Sequence, residues 1–170
     1  LMDIREKAAR MKAVSPFMSA ASEDMRNQAL QAIADAIERE KPRIIEENLR
    51  DLEAAEEKGI PAPVLKRLKF GEEKIGEVLA GIAELTGLAD PLNKITLDRE
   101  LDAGLRLCRQ TCAIGVIGVI FEARPDAMVQ VASLCIKSGN CAMLKGGSEA
   151  KRTNRKLFDV IYGAALSAGL

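Results

Sequence analysis

Val116-Ile-Gly-Val-Ile-Phe121, a helical stretch from about Asp126 to Ser138, the turn Gly139-Asn140 and Cys141-Ala-Met-Leu144 together decide the fold class. Both short runs consist mainly of β-formers bounded by turn residues, as expected of strands buried on both faces. The segment between them turns Val129, Ala132, Cys135 and Ile136 inward as one helical face. A final helix follows and buries Leu157, Val160, Ile161 and Ala164. Strand, helix, strand, helix implies an α/β fold with a parallel sheet and right-handed crossovers. Residues 105–112 alternate weakly and supply one more candidate strand. A doubly wound nucleotide-binding sheet usually carries about six strands, so this one is expected to continue beyond Leu170.

Upstream, the first ninety residues read as helices. Met25, Ala29, Ile33 and Ile37 recur every four residues behind Ser22, a natural N-cap. A second helix is expected from Pro42, a residue suited to a first turn, burying Ile45, Leu49 and Leu52. Gly59, Pro61 and Pro63 stop it, and a short helix through Leu65 and Leu68 comes next. Ile75, Val78, Leu79, Ile82 and Leu85 mark a further amphipathic helix that Gly87 and Pro91 end. Charged runs such as Glu53 to Lys58 are solvated helix faces.

Composition excludes several functions. Lys+Arg and Asp+Glu number 25 each, so there is no basic footprint for nucleic acid or an anionic membrane. Aromatics make up 3% with no Trp, which leaves no stacking platform for bases. No apolar run approaches the ~20 residues of a membrane span. The charged start, Leu1 to Arg10, lacks a signal-peptide core, and a cytoplasmic location is the default. The chain has no His, which removes any Ser–His–acid or Cys–His arrangement. Cys108 and Cys112 stand four residues apart on a predicted strand, about 13 Å at ~3.3 Å per residue. Zinc–thiolate bonds are about 2.3 Å, so no shared metal is expected, and the four cysteines read as structural thiols.

In an open parallel sheet, ligands collect at the carboxyl ends of the strands, and two such ends carry unusual residues. In Phe121-Glu-Ala-Arg-Pro-Asp126, Pro125 keeps Arg124 extended. Arg124 then projects from a strand end near a helix N-terminus, a setting that favours phosphate or carboxylate. A salt bridge to Glu122 or Asp126 explains the same spacing equally well. In Leu144-Lys-Gly-Gly-Ser-Glu149, Gly146 and Gly147 allow close backbone approach and Lys145 can meet a phosphate. Ser148 and Glu149 can hydrogen-bond ribose hydroxyls, or Ser148 can cap the next helix. The order of Lys and Gly rules out a Walker loop, and no GxGxxG is present.

Taken together, the run Ile114 to Asp126, Ile136-Lys-Ser-Gly-Asn140 and Leu144 to Glu149 resemble the gamma-glutamyl phosphate reductases. These are also called glutamate-5-semialdehyde dehydrogenases and belong to the aldehyde dehydrogenase superfamily. The resemblance extends upstream through Glu47-Asn-Leu-Arg-Asp-Leu52, Val64-Leu-Lys-Arg-Leu68 and Leu88-Ala-Asp-Pro91, covering nearly the whole chain. It implies NADPH-dependent reduction of L-glutamyl 5-phosphate to glutamate 5-semialdehyde and phosphate, in proline biosynthesis. A cysteine thiolate attacks the acyl phosphate and hydride reduces the thioester.

Lys145 matches the superfamily lysine at the adenosine ribose, and Ser148 and Glu149 match its partners. Gly146-Gly147 stands where other members usually have one proline. Ala123 occupies the position of their oxyanion-stabilising Asn, which leaves Arg124 as the group for a phosphorylated substrate.

The resemblance implies an incomplete aldehyde dehydrogenase-type cofactor domain. Residues 1–104 form its helical part, and 105–170 the first strand–helix units of a Rossmann-like sheet. The catalytic domain and its nucleophilic cysteine are expected beyond Leu170, in a protein that forms a homo-oligomer. The competing expectations are another NAD(P)-dependent aldehyde dehydrogenase and a non-catalytic nucleotide-binding module.

Overall fold

The structure is a computed structural model that describes residues 3–170. Helix α1 (Ile4–Ala20) carries no buried residue. Helix α2 (Glu23–Glu57) runs for 35 residues and is the spine against which the later helices pack. It begins as the sequence implies, with the Ser22 hydroxyl accepting from the Met25 amide at 3.2 Å. Short α3 (Ala62–Leu68) and α4 (Glu72–Gly87) follow, both where the turn residues and apolar spacing put them.

Pro42 does not start a helix; α2 passes straight through it. A proline inside a helix removes one hydrogen bond and crowds the carbonyl four residues back. Pro42 lies on the exposed side, where water can serve the freed Glu38 carbonyl. The opposite side is an unbroken buried stripe on which Ala29, Leu30, Ile33 and Ile37 continue as Ile44, Asn48, Asp51 and Ala55. Burial along that stripe outweighs the local penalty. Leu49 therefore points outward at 53% exposure, Ile45 and Leu52 are half-buried, and Met25 is exposed.

Between α4 and the sheet the chain forms an antiparallel hairpin, β1 (Ile95–Asp102) and β2 (Leu105–Gln110). The second strand is the one expected near residue 105, but it does not join the parallel sheet. The first lies within the span expected to be helical, and the division expected after residue 104 falls inside the hairpin, at the turn where Gly104 has φ +78°. Every hairpin residue is exposed, which explains why burial periodicity gave β1 no signal.

The parallel pair is β3 (Val116–Ile120) and β4 (Cys141–Lys145), joined through α5 (Pro125–Lys137). After β4, a single turn at Ser148–Ala150 leads into α6 (Lys151–Ser167). The strands are not buried on both faces, and Ile120 is 77% exposed. Among the described residues the pair has no third strand, and α1 and α5 lie against it. The core sits instead between the helices, where Leu30, Ile33, Ile37 and Ile44 meet Phe70, Ile75, Val78, Val129 and Leu157.

Buried polar groups lock these helices. Asp51 accepts the Arg152 amide at 3.2 Å, and the Thr153 amide and hydroxyl each at 2.8 Å. A carboxylate on α2 thus caps the N-terminus of α6, where bare amides and the helix dipole favour negative charge. Asn48 donates to the Leu68 carbonyl at 3.0 Å and to Thr153 Oγ1 at 3.2 Å, and accepts the Phe70 amide at 2.7 Å. Removing the Asp51 carboxylate leaves buried donors orphaned, at a cost of about 1–3 kcal/mol. Urea unfolding should show a loss of that size for Asp51→Ala and a smaller one for Asp51→Asn, which keeps one acceptor oxygen.

Candidate functional site

Parallel pairing sets the geometry of the candidate site. Ile120 pairs with Lys145, and the Phe121 amide donates to the Lys145 carbonyl at 3.1 Å. The two segments read as candidate binding elements therefore leave the same carboxyl edge side by side. Ala123 turns into the left-handed region at φ +45° although it carries a Cβ, and it is 2% exposed. Its amide donates to Glu149 Oε1 at 2.5 Å, so the second segment holds the backbone of the first.

Arg124 follows with φ −139° and ψ 80°, outside the helical region as a residue before proline should be, and α5 starts at Pro125. Its guanidinium meets Asp126 Oδ2 at 2.9 Å, the ion pair weighed as one reading of the spacing. That bond and the charge of Asp126 push the guanidinium pKa further up. The Arg124 side chain is still 52% exposed and presents unused donors to solvent. Asp126 is buried, and its Oδ1 has no partner among the described residues.

On the other segment, Lys145 and Ser148 are exposed, and their side chains meet no partner among the described residues. Ser148 does not cap α6, since Asp51 already occupies that end. The two glycines serve the chain's own side chains. A Cβ on Gly146 would lie 2.2 Å from Asn154 Nδ2, and one on Gly147 2.0 Å from Glu149 Oε1.

The thiols are not uniformly buried. Cys135 is buried and Cys141 half-buried, and burial raises both pKa values. Cys108 and Cys112 are exposed on or just beyond β2. A hydrogen bond from Cys108 to Asp98, 3.4 Å long, raises the Cys108 pKa, helped by local loss of solvation and the nearby Asp98 charge. None of these three carries the lowered pKa of an activated thiol. Among the described residues no group of three or more Cys, Asp or Glu side chains could hold a metal ion. No helix there is long and apolar enough to cross a membrane.

Asn48, Asp51, Thr153 and Asn154, which shape the second loop from beneath, were not anticipated. The signal was present on α2, where helical spacing from Ile44 places Asn48 and Asp51 on the apolar stripe.

Similarity to known proteins follows the same pattern. No protein-family model matches the chain. Gamma-glutamyl phosphate reductase of Ruminiclostridium cellulolyticum is 52% identical over 99% of this chain and 39% of its own length. The enzyme of the same name from Pelotomaculum thermopropionicum is 50% identical with the same coverage. In sequence and in fold, the chain is similar to gamma-glutamyl phosphate reductases. The Thermotoga maritima gamma-glutamyl phosphate reductase superposes with a TM-score of 0.93 at 30% identity, covering 98% of this chain and 40% of that one. The Saccharomyces cerevisiae one gives 0.92 at 34% identity, over 98% and 43%. A probable aldehyde dehydrogenase from Listeria monocytogenes shares the fold alone, with TM-score 0.67 at 15% identity over 94% of this chain and 32% of that one. The chain spans about two-fifths of the length of the curated gamma-glutamyl phosphate reductases it matches.

Gly146 gives the loop packing a direct check. Asn154 is buried and cannot swing aside, and a Phe121 ring carbon also lies 3.3 Å from the new Cβ position. Overpacking of this kind costs about 1–3 kcal/mol. Thermal unfolding of Gly146→Ala should show that loss, and Asn154→Ala in the same background should recover part of it.

Proposed function

We propose that this segment belongs to a reductase that converts L-glutamyl 5-phosphate to L-glutamate 5-semialdehyde and phosphate with NADPH, in proline biosynthesis. The observation that carries the reading is the Ile120–Lys145 register, which brings two exposed cations, Arg124 and Lys145, out of one sheet edge. The names of the similar proteins support the choice of acyl phosphate.

The residues present fit a phosphate- and ribose-bearing cofactor at the second loop. Lys145 and Ser148 are exposed and unengaged among the described residues, and Glu149 keeps Oε2 beside the oxygen that holds Ala123. When bound, NADPH supplies hydride. Lys145 offers a point charge and Ser148 a hydroxyl to its ribose end. The glycines contribute by accommodating Glu149 and Asn154, not by leaving an open cradle. Arg124, kept charged and oriented by Asp126, offers a planar fork to the substrate's phosphate or carboxylate. None of the four cysteines is assigned the nucleophilic role, because the three with shifted pKa values are shifted upward and Cys112 lies outside both loops.

In a reductase carrying this segment, Lys145→Ala should raise the KM for NADPH more than that for the acyl phosphate. A lost charged hydrogen bond amounts to roughly ten- to a hundredfold in binding. Unchanged NADPH kinetics in a folded variant would rule Lys145 out of the cofactor site. Arg124→Lys keeps charge but loses the fork, and turnover of the acyl phosphate should fall at least tenfold. Near-normal turnover in both Arg124→Lys and Arg124→Met would leave the Asp126 ion pair as the only role for Arg124.

A further inference from the structure

We infer that Glu149 is a positioning residue for Arg124, acting through the Ala123 amide, so that the two loops work as one unit. The inference rests on the function proposed above. Ala123 sits at φ +45°, which disfavours any residue with a Cβ, and it is buried where water cannot serve its amide. Something must hold it there, and the Glu149 carboxylate does so at 2.5 Å from across the sheet edge. Gly147 is the second, independent sign. A Cβ there would fall 2.0 Å and 2.4 Å from the two carboxylate oxygens, so the backbone is bare where Glu149 lies.

The conformation of Ala123 fixes the direction in which the chain leaves β3, and the next residue is Arg124 at the start of α5. Glu149 therefore aims the guanidinium without touching the substrate. Its Oε2 remains for a cofactor ribose hydroxyl. A cofactor that engages Oε2 fixes the same carboxylate and raises affinity for the acyl phosphate, and the effect is reciprocal.

The test is a double-mutant cycle in a purified reductase carrying this segment, reading KM for the acyl phosphate and for NADPH separately. Glu149→Ala should raise the acyl phosphate KM roughly tenfold, the scale of a lost charged hydrogen bond. Gly147→Ala, which displaces the carboxylate without deleting it, should do the same. Glu149→Gln keeps an acceptor for the Ala123 amide and should restore most of the acyl phosphate KM. Combining Glu149→Ala with Arg124→Ala should cost less than the product of the single effects, because one acts through the other. If Glu149→Ala and Gly147→Ala move only the NADPH KM, or the two losses multiply, Glu149 is a cofactor ligand and the inference fails while the proposed function stands. If Arg124→Ala leaves the acyl phosphate KM unchanged, the substrate role of Arg124 and this inference fall together. Should Glu149→Ala not fold, Gly147→Ala and Glu149→Gln decide the matter by the same readout.

Discussion

Arg26 carries a positive charge into the interior, 1% exposed, at the point where the start of α2, the end of α5 and the segment after α4 converge. Its Nε donates to the Ala21 and Ser22 carbonyls, at 3.2 and 3.3 Å, and its Nη1 to the Lys137 carbonyl. Nη2 meets Asp90 Oδ2 at 2.7 Å. A buried charge is tolerable only with such complete pairing. Burial tends to raise the Asp90 carboxyl pKa, but the bonds from Arg26 and the Leu92 amide and the nearby Arg26 and Lys137 charges leave it lowered. Lys137, itself 3% exposed, donates to Glu23, Asn27 and the Thr86 carbonyl, tying the end of α5 to the start of α2 and the end of α4. The far end of α5 is thus pinned to α2, and the direction of its near end, where Arg124 and Asp126 sit, follows.

Asp51 does for α6 what Arg26 does for α5. Both anchors lie on one continuous helix, so the two loops at the sheet edge take their positions from a common frame. Charge is matched to geometry at each end. A guanidinium takes the carbonyl of the last residue of α5, and a carboxylate collects the amides that open α6.

Much of this organisation was legible in the sequence. The order of the parallel strands and helices from Val116 onward follows from β-former runs, turn residues and helical spacing, as do α3, α4 and the Ser22 cap. Three features were not. The break at Pro42 was expected on local grounds, and long-range burial on both sides of it overrides the proline. Strand β1 is exposed throughout, so no burial pattern reports it. The partners of Asn48 and Asp51, Leu68 to Phe70 and Thr153, are remote in sequence, so helical spacing alone does not name them. At the candidate site, Arg124 and Lys145 to Glu149 were legible as residues that could meet a ligand. The Glu149–Ala123 bond was not, since it depends on a backbone conformation that alanine seldom adopts.

The spacing of these anchors along the chain has a consequence in time. Arg26 closes on Lys137 across 111 residues, and Asp51 on Thr153 across 102. Synthesis proceeds from the N-terminus, so α2 emerges long before either partner exists. Until then its stripe holds an unpaired guanidinium and carboxylate among apolar residues, with no interior to receive them. Loop closures of this length are slow and precede the contacts that reward them. The longest helix forms early as a secondary structure, yet its tertiary placement waits for the last one, and the nascent chain is most exposed to misassociation in that interval.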